Sequence, residues 1–108
     1  MALQKDIDLD NGINLPDAYI KIYSINFSYS SPDSVLVGVA IYKDEAAYNN
    51  KYSEVMSTEH YCRDGVEFNT YFSESVLNQL NYNPVSQAYK WLKTLEIYLG
   101  AIDVWRNI

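Results

Sequence analysis

Alternating apolar and polar residues, a pattern typical of half-buried β-strands, run through much of the chain. From Ala18 to Tyr29 this alternation predicts a long strand with one solvated face. Its apolar face would carry Tyr23, Ile25, Phe27 and Tyr29, and its polar face Ser24, Asn26 and Ser28. Residues Ser34–Tyr42 are mostly apolar on both faces and rich in β-branched side chains, which favours a central strand paired with the preceding one as a hairpin. Gly38 in this strand indicates either a bulky neighbour or a bulge.

Weaker patterns predict two more strands and the turns between them. Lys5–Leu9 alternates apolar residues with aspartates, which predicts a short edge strand, and the Asn11-Gly12 pair that follows predicts a turn. Residues 30–33, with sequence Ser-Ser-Pro-Asp, predict the turn of the central hairpin. Glu54–Cys62 is a third long strand of weaker pattern, and residues 63–65 form the turn after it.

The C-terminal part of the chain changes to helical spacing. Asn83 is a favourable N-cap, and Pro84 stands at the first helical position, where its missing N–H has no consequence. Gly100 is expected to end the helical course. The apolar stripe predicted for this helix consists of Val85, Ala88, Tyr89, Leu92 and Leu95, widened by Trp91.

Three segments give less definite predictions. Residues 43–53 are polar and indicate a loop with one helical turn, and residues 66–72 are ambiguous. Ser73 is expected to cap a short helix that ends near residues 81–83. The inner side of that helix would carry Val76, Leu77 and Leu80.

These elements predict an α+β fold, in which an antiparallel β-sheet built as a meander of hairpins packs against a C-terminal α-helix. With 108 residues, the chain has the length of a single domain, residues 1–108. Residues 1–15 are either a flexible arm or an edge strand, and residues 100–108 form a C-terminal tail.

Composition and charge narrow the classes of function. Hydrophobic residues make up 48% of the chain and charged residues 20%, which is typical of a folded domain. A net charge of -6 argues against binding to nucleic acids and to anionic membranes, because both depend on clustered positive charge. Cys62 is the single cysteine and excludes an internal disulfide. The first residues lack the apolar core of a signal peptide, so we expect synthesis in a cytoplasm.

Three groups of side chains are candidates for chemical centres. The segment Asp6–Gly12, DIDLDNG, has acidic residues at alternate positions, but its glycine falls one place late for a calcium loop, which favours a solvated edge strand. His60 and Cys62 would share one strand face, where we expect a structural pair and no activated thiol. The spacing of the carboxylates selects no pair for acid–base work. We therefore predict no catalytic residues, no cofactor and no metal.

Tyrosine is over-represented, with 11 in the chain, and its amphipathic ring suits half-buried sites and interfaces. Residues 97–105 must either fold back on their own core or lie across a neighbouring subunit, as a small chain gains stability from oligomer contacts. The candidates for interface contacts are Tyr48, Tyr52, Tyr89, Trp91, Ile97, Tyr98, Ile102 and Trp105.

The order of these pieces resembles a class of small proteins from tailed bacteriophages and prophages. The stretches that carry the resemblance are the opening MALQKDIDLDNGINLPDAYIKI, the strand VLVGVAIYKDEAAYNN and the end NPVSQAYKWLKTLEIYLGAIDV. In that class, a strand-rich body ends in a helix that begins with Asn-Pro, contains A-Y-x-x-L-K-T-L and leads to a Gly-Ala/Ala-Asp-Val tail. The matching residues here are Asn83, Pro84, Ala88, Tyr89, Leu92, Lys93, Thr94, Leu95, Gly100, Ala101, Asp103 and Val104. This chain is richer in Tyr and Asn and adds residues 105–108.

The resemblance implies a non-enzymatic virion protein of the tail, baseplate or fibre-attachment region. Its expected partners are its own copies, in a homo-oligomer, and other phage structural proteins. It would be made in the bacterial cytoplasm and reside in the virion. Two alternatives stay open. One is a capsid decoration protein. The other is a module for host-surface sugars, indicated by the cluster of Tyr48, Asn49, Asn50 and Tyr52.

Overall fold

A computed structural model describes residues 1–28, 33–63, 65–78 and 83–104. In chain order, the strands are β1 (Ala2–Asp8), β2 (Asn14–Ser28), β3 (Ser34–Tyr42), β4 (Met56–Arg63) and β5 (Ile102–Val104). The helices are α1 (Glu45–Asn49), α2 (Val66–Tyr71), α3 (Glu74–Leu77) and α4 (Pro84–Leu92), and a short 3₁₀ helix covers Glu96–Tyr98. The predicted α+β fold is confirmed.

The five strands form one antiparallel sheet in the order β4-β3-β2-β1-β5. The meander predicted for the first four strands is confirmed, including the hairpin of β2 and β3. The prediction that β1 is an edge strand is wrong, because β5 returns to pair with it on the outer side. The Asn11-Gly12 turn is confirmed, with Gly12 at φ +87°, a conformation that favours glycine. Residues 29–32, 64, 79–82 and 105–108 lie outside the described part. The predictions that fall on them concern most of the turn at 30–33, Asp64 in the turn at 63–65, Leu80, and residues 81 and 82.

A bulge in β2 changes which side chains share a face. The register with β3 shifts between Ile22 and Ser24, so Tyr23 is an extra residue. Ile25 and Phe27 pack on the core, whereas Tyr23 is 56% exposed. The prediction that Tyr23 shares a face with Ile25 and Phe27 is therefore wrong. Gly38 accommodates the bulge, because a Cβ there would come within 2.7 Å of Tyr23 Cζ and would also meet Ser24 Oγ.

Alternation along β3 separates the two faces of the sheet. Its odd-numbered residues from Val35 to Ile41 are fully buried in the main core, beneath the helices. The aromatic members of this core include Phe68, Phe72, Tyr89, Trp91 and Tyr98. Of the described helices, only α1 lies against the other face, where Ala2, Tyr19 and Val104 form a small second cluster with Tyr42 and Tyr48. We call this second side the open face.

The predicted start of α4 is confirmed and its predicted length is corrected. Asn83 Oδ1 accepts a hydrogen bond from the Ser86 N–H at 2.8 Å, and Pro84 occupies the first turn. The helix ends at Leu92, because Thr94 turns back and donates both its N–H and its hydroxyl to Trp91 O. Leu95 therefore lies beyond the helix. Val85, predicted to face inward, is 47% exposed, and Trp91 is buried as expected.

The short helices explain the less definite segments. Asp44 caps α1 by accepting from the Ala47 N–H at 2.8 Å, so residues 43–53 contain the expected helical turn. The ambiguous residues 66–72 are helical as α2. Ser73 precedes α3, although its side chain makes no capping bond to the helix backbone.

Candidate functional site

Three of the eight interface candidates belong to the core of the chain. Tyr89, Trp91 and Tyr98 are 1%, 2% and 0% exposed. Burial leaves them no surface to offer a partner, which corrects their assignment as interface residues. These rings can be buried because the polar group of each one forms a hydrogen bond inside the fold.

Each of these polar groups has a specific partner. Tyr89 Oη accepts a hydrogen bond from the Ile22 N–H at 2.9 Å, beside the β2 bulge. Trp91 Nε1–H donates to Glu67 Oε2 at 2.7 Å. Burial raises the pKa of Tyr89 to about 12, so its hydroxyl stays neutral. These contacts join α4 to β2 and to α2.

His60 and Cys62 share one face of β4, as predicted, and the structure shows that this is the core face. Tyr98 Oη lies 2.7 Å from His60 Nε2. Burial lowers the pKa of His60. Burial, and then the charge of Glu67, raise the pKa of the Cys62 thiol to about 11. Since the thiolate is the nucleophile, the Cys62 thiol is poorly reactive at neutral pH.

The aspartates before Gly12 serve the first turn. Asn14 Nδ2 donates to Asp6 Oδ1 and to Asp8 Oδ1, and Asn11 Oδ1 accepts from the Ile13 N–H at 3.1 Å. These bonds connect the end of β1 to the start of β2. Across the described ranges, no group of three or more His, Cys, Asp or Glu side chains could hold a metal ion.

Tyr48 and Tyr52 border a concavity of about 480 Å³ beside α1, which we call the tyrosine pocket. The residues that line it are Tyr42, Tyr48, Asn49, Lys51 and Tyr52. The Tyr48 ring is held by Tyr42 and Tyr19, at 5.0 and 5.1 Å between ring centroids, whereas Tyr52 is 68% exposed. The structure thus brings together three members of the predicted sugar-binding cluster, and Asn50 does not line the pocket.

Ile97 belongs to a second surface at the end of the sheet near the first turn. Ile97, Ile13 and Val55 border a concavity of about 330 Å³, and each is at least 39% exposed. We call these three residues the end patch. The prediction included Ile97 and missed Ile13 and Val55. Ile102 is exposed on β5, and Trp105 lies outside the described residues.

A third surface, along β4, was also missed. Glu59, Tyr61 and Arg63 are exposed, and their spacing of two places them on the open face. Tyr61 is 54% exposed, and the Arg63 guanidinium lies 5.9 Å from the centre of its ring. The period-2 pattern was visible in the sequence, but the position of β4 at the sheet edge was not.

No protein-family model matches the chain, and no curated protein or solved structure matches it significantly. Within the described ranges, no helix has the length and apolar character needed to cross a membrane.

Proposed function

We propose that the chain is a non-enzymatic structural component of a bacteriophage virion, located in the tail, baseplate or fibre-attachment region. It acts through contacts with its own copies and with other structural proteins of the particle. The observation that carries this proposal is the distribution of apolar side chains. Ten large hydrophobic residues of the described chain are exposed. Three of them form the end patch, and the tyrosine pocket and the β4 surface each include one, Tyr52 and Tyr61. Clustered exposed apolar residues are typical of surfaces that other proteins cover.

The residues behind the phage resemblance support a role based on shape. Asn83 starts α4, and Ala88, Tyr89 and Leu92 bury its inner face. Gly100 adopts φ +88° and lets the chain turn back into β5. Lys93 Nζ forms an ion pair with Asp103 Oδ1 of β5, at 3.0 Å. In this chain, the pattern therefore encodes a helix and a closing strand.

The experiment for this proposal is mass spectrometry of gradient-purified particles from the phage or prophage that encodes the chain. We expect its peptides to sediment with the tail proteins and to remain after washing in high salt. A particle that lacks the chain while the lysate contains it would overturn the proposal. A capsid decoration protein would remain with tailless heads, which can be separated from free tails in the same gradient.

The tyrosine pocket favours a second candidate function, the binding of host-surface sugars. Aromatic faces stack on sugar rings, and Asn49 and Lys51 add polar groups beside Tyr48 and Tyr52. A glycan array tests this candidate. Binding that disappears in Tyr52→Ala and survives in Tyr23→Ala would support it, and no binding at millimolar sugar would dismiss it.

A further inference from the structure

The outer edge of β4 is a free strand edge eight residues long in the described structure. All eight residues of β4 pair with β3 in a continuous register, which occupies one side of the strand. On its other side, no backbone hydrogen bond from any described residue reaches Met56–Arg63. The opposite edge of the sheet, β5, has only three residues. A regular edge of this length presents unpaired N–H and C=O groups to any strand that approaches.

The side chains on this edge lack most devices that protect edge strands from pairing. The segment MSTEHYCR contains no proline and no lysine, and its register with β3 shows no bulge. Its two charges, Glu59 and Arg63, are opposite in sign. The edge is therefore locally neutral in a chain of net charge -6.

We infer that two copies of this chain pair through their β4 strands, antiparallel and in register at Tyr61, to form a continuous ten-stranded sheet. In that register Tyr61 lies opposite Tyr61 of the second copy. Glu59 then lies opposite Arg63 of the second copy, and the same pair recurs on the other side of the two-fold axis. Opposite charges and aromatic rings placed directly across antiparallel strands both favour pairing.

The charges select this register over its neighbour. A register centred on His60 would place Glu59 opposite Tyr61 and Arg63 opposite Ser57, which leaves both charges without a partner across the strands. Because both copies use the same edge, the contact is two-fold symmetric, so the assembly closes as a dimer and does not extend into a filament. This inference rests on the homo-oligomeric part of the proposed function and assigns a surface to it.

The test is a charge swap on the full chain, read by sedimentation velocity over a range of concentrations. We expect the unmodified chain to dimerise. Glu59→Arg and Arg63→Glu each place two like-charged pairs across the axis, and we expect each to raise the dimer Kd by about tenfold or more. The double variant restores both pairs in reversed order, and its Kd should return to within about threefold of the original. Glu74→Arg on α3 makes the same charge change away from β4 and should leave the Kd unchanged.

Each outcome decides the inference. A chain that is monomeric at every concentration overturns it together with the homo-oligomeric part of the proposed function, whereas virion residence is scored separately by mass spectrometry. A dimer that ignores both single variants uses another surface, and a double variant that stays dissociated refutes the register. Circular dichroism checks that each variant is folded. If a charge variant does not fold, Tyr61→Lys replaces it, since two lysines at the axis should also dissociate the dimer.

Discussion

The contact between Tyr98 and His60 offers a clear test of how the core is built. The hydroxyl of Tyr98 lies 2.7 Å from His60 Nε2, and it joins the 3₁₀ helix after α4 to the edge strand β4. The two rings meet edge to face at 5.2 Å between centroids, and Tyr98 is fully buried. Tyr98→Phe removes one oxygen and keeps the ring, so it isolates the hydrogen bond.

The size of the effect follows from what the hydroxyl leaves behind. A typical hydrogen bond contributes about 1 kcal/mol net, and the unsatisfied nitrogen of half-buried His60 adds a partial desolvation cost, for a total of about 1–2 kcal/mol. For 108 residues at about 2.1 cal/mol/K each, the unfolding entropy is about 0.23 kcal/mol/K. Each kcal/mol then lowers the Tm by about 4 °C, and we expect a loss of about 4–9 °C.

The assay is urea and thermal unfolding followed by circular dichroism, on the variant and on a matched control. Tyr52→Phe removes the same atom from a side chain that is 68% exposed, and it should change the stability by less than about 0.5 kcal/mol. If Tyr98→Phe unfolds at the same urea concentration as the unmodified chain, the hydroxyl contributes no bond and the packing described for β4 is wrong.

Three further predictions concern the same framework. Because burial lowers the pKa of His60, the unfolded chain binds more protons below about pH 6.5, so the free energy of unfolding should fall from pH 7 to pH 5. His60→Gln should flatten that dependence in unfolding titrations, and an unchanged slope would contradict the reasoning. Cys62 is 2% exposed and its pKa is raised to about 11. Its thiol should therefore react with a thiol reagent at pH 8 at least about a hundredfold more slowly in the native chain than in denaturant. Equal rates would refute its burial. Asn83→Ala should cost about 1 kcal/mol by chemical denaturation, whereas Asn83→Asp keeps an acceptor for the Ser86 N–H and should cost little; equal losses would exclude the cap.

Local signals in the sequence predicted the local structure well. Asn83 and Pro84 fix the start of α4, and the Asn11-Gly12 pair fixes the first turn, because capping and turn preferences involve only neighbouring residues. The continuous apolar character of Ser34–Tyr42 also predicted its position inside the sheet.

Features that depend on distant residues were not predictable in this way. β5 has three residues and no period of its own, and it pairs with a strand at the opposite end of the chain, so β1 was wrongly expected at an edge. The bulge at Tyr23 inserts a single residue and reverses the face of that side chain, which alternation alone does not reveal.

The candidate surfaces were harder to predict than the fold. A tyrosine or tryptophan suits an interface and a core equally well, and the choice depends on whether its polar tip finds an internal partner. Trp91 forms a hydrogen bond with Glu67, and Tyr98 forms one with His60, 38 residues away, so both rings are buried. Tyr61 has no such internal hydrogen bond among the described residues and stays on the surface.

Cryo-electron microscopy of the intact particle tests the central proposal most directly. We expect density for this α+β fold, in several symmetry-related copies, at the tail, baseplate or fibre attachment, with the exposed apolar surfaces covered by neighbouring subunits. A particle whose tail and baseplate density is fully assigned to other chains would contradict the account.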